Sequence, residues 1–204
     1  MSLYQHWILP RLLHLAMRNR ELPAYRARLI PEAKGQIIEI GIGSGLNLPL
    51  YSDAVNAIIG VDPSPKLLEM ADTTRRRVSV PVELIEGSAE DIPIENRSID
   101  TVVTTWTLCS IPDAQRALLE MRRVLKPSGH LLFVEHGRAP EPQVQWWQDR
   151  LTPAWKRLSG GCHLNRAMGE LIQNAGFPIE RLDTGYMPGP KPMTFMYQGS
   201  AGPS

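Results

Sequence analysis

Residues 36–62 read QIIEIGIGSGLNLPLYSDAVNAIIGVD, and no other stretch restricts the fold as much. The apolar run Ile37-Ile38-Glu39-Ile40 reads as a buried strand. Gly41-Ile42-Gly43-Ser44-Gly45 follows as a turn, and a second apolar run, 57–61, ends in Asp62. Strand, glycine turn, connection and a second strand ending in an acid make one mononucleotide-binding βαβ half. The glycines allow a tight turn and leave room for a ligand against the main chain. The acid stands where it can accept hydrogen bonds from both ribose hydroxyls of an adenosine. A dinucleotide fingerprint has its third glycine one position later than Gly45, where this chain has Leu46.

The rest of the chain surrounds this unit with alternating elements. Residues 3–20 carry a broad apolar face that includes Tyr4, Trp7, Leu12, Leu13 and Met17, and 22–30 predict a second short helix ended by Pro31. The face suits packing over the ligand edge of a sheet, or lying on a membrane surface beside Arg11, Arg18 and Arg20. Packing is the reading taken. Ser64 caps a helix to about Arg77, with Pro65 at its first position. Residues 82–86, 100–105 and 131–135 read as strands three to five, 113–125 as a helix, and 126–129 as a turn. From Arg138 to Leu164 the pattern changes, and Pro140 and Pro142 open a segment holding Trp146, Trp147 and Trp155. A helix then runs to Ala175 and stops at Gly176. Residues 179–184 and 193–197 read as the last two strands, and 199–204 as a disordered tail. Alternation of this kind implies an α/β fold whose ligands sit outside the carboxyl ends of a parallel sheet.

A length of 204 residues suits one domain, 1–204. Within it, 1–31 are expected to form a helical lid and 138–164 an inserted segment on the acceptor side. Twenty-two Lys and Arg against 21 Asp and Glu leave no basic footprint for nucleic acid. No run approaches the roughly 18 apolar residues of a spanning helix, and no signal-peptide pattern opens the chain. Two cysteines, Cys109 and Cys162, cannot build a disulfide framework or a four-thiolate zinc site, so reduced thiols in the cytoplasm are expected. A metal on Cys162, His163 and His136 is not expected either, because adjacent ligands lack the usual spacing.

Four motifs occur in order: Glu39-x-Gly41-x-Gly43-x-Gly45, Gly60-Val61-Asp62, the 87–93 loop GSAEDIP, and the Leu125-Lys126-Pro127-Ser128-Gly129 turn. As a set they resemble the class I S-adenosylmethionine-dependent methyltransferases. The resemblance implies a Rossmann-like three-layer sandwich with a seven-stranded, mostly parallel sheet, order 3-2-1-4-5-7-6, strand 7 antiparallel. It implies S-adenosyl-L-methionine as cofactor, S-adenosyl-L-homocysteine as product, and a cofactor site of Glu39, Gly41, Gly43, Gly45, Asn47, Asp62, Pro63, Ser64, Leu67, Ser88, Ala89, Glu90, Thr105, Trp106 and Thr107. Further on, 105–110 (TWTLCS), 133–136 (FVEH), 153–155 (PAW) and 161–166 (GCHLNR) look like the methyltransferase-like 7 group, whose animal members are thiol S-methyltransferases of internal membranes. The chain departs from those members in having only the amphipathic 3–17 piece where they carry an anchor.

The expected reaction is methylation of a small molecule, a thiol first, with N- or O-methylation of a metabolite or lipid head group as the alternative. A nicotinamide-dependent oxidoreductase and a non-catalytic adenosylmethionine-binding module are the rival classes. His136, at the end of strand five, and His163 are the candidate proton acceptors. Tyr4, Trp7, Trp106, Trp147, Cys162 and Tyr186 are the candidate acceptor contacts. Trp146, Trp147 and Trp155 either wall the acceptor pocket or anchor their segment to the core.

Overall fold

A computed structural model describes residues 7–203. Its centre is one seven-stranded sheet of order β3-β2-β1-β4-β5-β7-β6. The strands are β1 (Gly35–Ile40), β2 (Val55–Asp62), β3 (Val82–Glu86), β4 (Ile99–Thr105), β5 (Leu125–His136), β6 (Ile179–Tyr186) and β7 (Phe195–Ala201). The pairs from β3 across to β5 are parallel, and β7 runs antiparallel to both β5 and β6. The chain reverses at β1, with β2 on one side and β4 on the other. The carboxyl ends of these strands therefore border a crevice.

Side chains alternate across the sheet and feed two cores. Ile38, Ile40, Val102, Leu131 and Phe133 face α4 (Ala114–Val124) and α6 (Met168–Asn174). Ile37, Ile58, Val103, Leu132 and Val134 face the other side, with Leu29 of α2 (Leu22–Leu29) and Ile30 after it. The central strands are apolar on both faces, as a sheet covered twice requires. On the second face, α3 (Pro65–Arg75) begins as its sequence predicts. The Ser64 hydroxyl accepts from the Leu67 amide, and Pro65 occupies the first helical position.

The remaining helices are α1 (Leu9–Ala16), α5 (Pro142–Leu158) and the short α7 (Lys191–Thr194). Among the described residues, no helix is long and apolar enough to cross a membrane.

Two expectations are corrected. The 126–129 turn lies within β5, which is offset against β4 by a register shift. The chain from Gly199 is not a disordered tail: Gly199 pairs with Phe133 and Ala201 with Leu131 in the sheet interior. Its small, weakly apolar residues hide this, because Gly199 lies where any side chain would run into the Arg181 carbonyl.

Candidate active site

The glycine turn is shaped by what stands behind it. Gly41 takes φ +70, and a Cβ there would overlap the Thr107 side chain, so only glycine fits. Gly43, at φ +55, has only the Gly41 carbonyl, at 3.9 Å, near the place its side chain would take. Its amide donates to Asp62 Oδ2 at 3.0 Å, and the Ser64 amide donates to Oδ1 at 2.8 Å. These bonds tie the turn after β1 to the end of β2. Burial raises the Asp62 pKa, and the two amides oppose that shift.

Glu39, the last acid of β1, is buried. It accepts from Asn47 Nδ2 at 2.7 Å and from the Tyr51 hydroxyl at 2.8 Å. Burial pushes it up to about 7, against the pull of those hydrogen bonds and of the Arg26 charge. Arg26, from α2, is buried and stacks over the Trp106 ring at 4.7 Å. Its Nη1 donates to the Met17 carbonyl, and its Nε has no partner. Trp106 leaves β4 at φ +51, a left-handed conformation rare for a bulky residue. The 2.7 Å bond from its amide to the Val134 carbonyl holds it there. Backbone strain of this kind, where it occurs, is concentrated at functional sites.

These groups surround a cavity of about 1200 Å³. Of the residues expected at the cofactor, Glu39, Gly41, Gly43, Asn47, Asp62, Pro63, Ser64, Leu67, Ser88, Ala89, Thr105, Trp106 and Thr107 line it. Gly45 does not, because its Cα faces Leu48 and α3. Glu90 does not either: its carboxylate accepts from the Asp113 amide at 2.6 Å and anchors the start of α4. Trp7 lines the cavity, near Lys66. Tyr4 lies outside the described residues.

Five of the remaining acceptor-side residues, His136, His163, Cys162, Trp147 and Tyr186, do not line this cavity. The His136 ring is buried against Cys162, with Nε2 3.0 Å from Sγ. His163 faces the Cys109 carbonyl at 3.1 Å. Neither histidine lines the cavity, and neither does Cys162. Trp147 is an exposed face of α5, packed edge-on against Trp146. Tyr186 donates its hydroxyl to Glu141 and lines a separate hollow of about 380 Å³. His136 and Tyr186 end strands at the carboxyl edge of the sheet, yet the first side chain turns into the core and the second toward Glu141.

Several wall residues were not singled out by sequence. Arg26 lines the cavity from outside the glycine motif, and His14 of α1 places Nδ1 2.7 Å from the Ser44 hydroxyl. Leu9, Leu13 and Met17 line the cavity with it. The apolar periodicity of 3–17 was the one signal for that contact.

The residues fit an adenosylmethionine. A buried carboxylate is available to a ribose, the Arg26 and Glu39 side chains line one cavity, and Gly43 leaves room for a ligand against the main chain. Residues 38–133 match the methyltransferase domain family. Human thiol S-methyltransferase TMT1A is 31% identical over 168 residues, 80% of this chain and 68% of its own length. Rat thiol S-methyltransferase TMT1B is 33% identical over 151 residues, 72% of this chain and 62% of that protein. A Haloferax volcanii methyltransferase solved with the Trm112 methyltransferase activator superposes with a TM-score of 0.73 at 18% identity, covering 100% of this chain and 99% of that one. The chain belongs to the class I S-adenosylmethionine-dependent methyltransferases. Within that family it resembles the thiol S-methyltransferases, although the match spans less than two thirds of the rat protein.

Proposed function

We propose that the chain methylates the sulfur of a small, apolar thiol. The observation that carries this reading is the chemistry of the cavity wall. Leu9, Leu13, Met17, Ile111 and Pro112 give it an apolar side, and Lys66, Lys156 and Arg157 add positive charge. Its carboxylates are Glu39 and Asp62, beside the glycine turn, and Glu69, which is paired with Lys66. An ammonium acceptor has no free pair of acids to hold it, whereas a thiolate meets a favourable field. The likeness to relatives named thiol S-methyltransferases supports the same reading.

Bound in this cavity, S-adenosylmethionine supplies a methyl group made electrophilic by its sulfonium charge. Asp62 would hold the ribose hydroxyls, Arg26 the carboxylate of the methionine part and Glu39 its ammonium group. His14 is the cavity-lining histidine among the described residues, and we assign it the acceptor's proton. A thiol of pKa ~8.5 is already partly ionised at neutral pH, so one ordinary base is enough. A hydroxyl would need a stronger base. The methyl would go to the acceptor sulfur as its bond to the sulfonium breaks, which would leave S-adenosylhomocysteine as a thioether. α1 acts as a lid over the cavity, and excluding water there strengthens each of these electrostatic contacts. We place the activity in the cytoplasm, where free cysteines stay reduced.

The test is turnover of methyl-labelled cofactor on a panel of thiols, amines and phenols. Thiol turnover that rises with pH as the thiolate fraction grows is the expected result. Turnover of amines or phenols without thiols would reject the acceptor assignment and leave the family unchanged.

A further inference from the structure

Cys109, His136 and Cys162 come from three separate connections at the carboxyl edge of the sheet. Cys109 follows β4, His136 ends β5, and Cys162 lies between α5 and α6. The fold brings their donor atoms, two Sγ and one imidazole nitrogen, within 4.8 Å of one another. All three residues are buried. None of them lines the cavity, so the reading above leaves this cluster without a task.

We propose that Cys109, His136 and Cys162 bind one thiophilic metal ion of the zinc type. Two thiolates and an imidazole are the donor set such an ion prefers, and a three-residue protein set leaves one position for a water or a further side chain. The surroundings already suit ligated sulfur. The Ser110 hydroxyl is 3.5 Å from Cys109 Sγ, and the Trp155 indole stands beside Cys162 with its Nε1 unpaired. Both can donate to a coordinated thiolate, the kind of outer contact that orients ligands. Without an ion, the Nε2 of the buried His136 ring meets only a thiol. Buried polar groups so poorly satisfied are costly unless something else binds them.

The ion would be a tie and not a participant in methyl transfer. Trp106 and Ser110 flank Cys109, Gly161 precedes Cys162, and all three line the cavity. Joining the two cysteines to the end of β5 therefore fixes one wall of the cavity. Sequence spacing weighs Cys162 with its neighbour His163 and with His136, and leaves Cys109 out of the set. The tertiary structure pairs Cys162 with distant residues instead.

The test is titration of the untagged, reduced full-length protein with Co2+, read by absorbance, followed by displacement with Zn2+. The expected result is a single equivalent of Co2+ with a thiolate-to-cobalt charge-transfer band, lost on adding Zn2+, and a higher melting temperature with Zn2+ bound. Cys162→Ser and Cys109→Ser should each weaken binding at least tenfold and reduce the band, and His136→Gln should weaken binding while keeping it. A folded wild-type protein with no thiolate band, or with its two cysteines joined as a disulfide after purification under reducing conditions, overturns the proposal. So does a band that persists unchanged in both serine variants. The wild-type titration decides the matter even if a variant does not fold.

Discussion

The guanidinium of Arg26 lies 4.7 Å over the indole of Trp106, which Tyr25 meets edge-on from another side at 6.3 Å. A helix residue from before the glycine motif is thus fixed on a strained residue at the end of β4. The stack aims a cation at the cavity shared with Glu39. Replacing Arg26 with Met should weaken S-adenosylhomocysteine binding by about 1.5–3 kcal/mol, the range for a hydrogen bond to a charged group. Methylthioadenosine, which lacks the carboxylate, should bind the variant and the parent alike. Calorimetry with both ligands checks this, and equal losses for the two would remove Arg26 from the carboxylate.

Asp62 ties the glycine turn to β2 and is our proposed ribose acceptor, so its substitutions should differ. Asp62→Ala releases the Gly43 and Ser64 amides and removes the proposed acceptor. We expect cofactor binding to weaken by about 1.5–3 kcal/mol in a folded protein. Asp62→Asn keeps one acceptor oxygen and should lose less. Unchanged affinity in Asp62→Ala would take this residue out of the site.

Gly43→Val should abolish cofactor binding. The added side chain would stand in the space at the turn, and φ +55 is strained for a β-branched residue. Circular dichroism separates a folded non-binder from a misfolded chain, and normal affinity in a folded variant contradicts the prediction.

Glu39 should give the stability a pH slope. In the unfolded chain it ionises near 4.5, and in the folded chain near 7. Between these values the folded state holds more protons, so stability falls as pH rises from 4.5 to 7 and is level above. The gap corresponds to about 3 kcal/mol, an upper figure for a buried group. Glu39→Gln should remove this slope from urea melts recorded across that window. In the parent, the positive charges of S-adenosylmethionine should restore ionisation, so binding near pH 6 should release protons. Calorimetry in buffers of different ionisation enthalpy measures that release, and proton uptake would be the opposite result.

Removing residues before Leu22 should lower activity in detergent-free buffer, because Leu9, Leu13, His14 and Met17 line the cavity. His14→Ala alone should slow thiol turnover near neutral pH and less near pH 9, where the acceptor ionises unaided. Sedimentation of the full-length but not the truncated protein with liposomes would instead show α1 to be a surface anchor. Full activity of His14→Ala at neutral pH would end its assignment as base.

What the sequence determined is local. Strand runs such as 82–86, the Ser64 cap and the glycine turn are legible because side-chain period, capping and φ are set by neighbours a few residues away. Asp62 was legible for the same reason, since its position after β2 follows from the βαβ pattern. The strand order came from the family resemblance, and the sheet bears it out. The tertiary structure alone decided which side chains share a space. Arg26 stacks on Trp106 across a gap in sequence that carries no periodic signal, and the apolar face of 3–17 does not say that His14 will meet Ser44. His136 and His163 sit at the correct edge of the sheet, but packing turns them away from the cavity. Gly199 looks like tail because glycine has no side chain to announce a strand, and its place beside Phe133 is set by how closely β7 packs there. Cys109, His136 and Cys162 meet only because three crossovers end at one edge. Ligand spacing along a chain says nothing about donors that topology brings together.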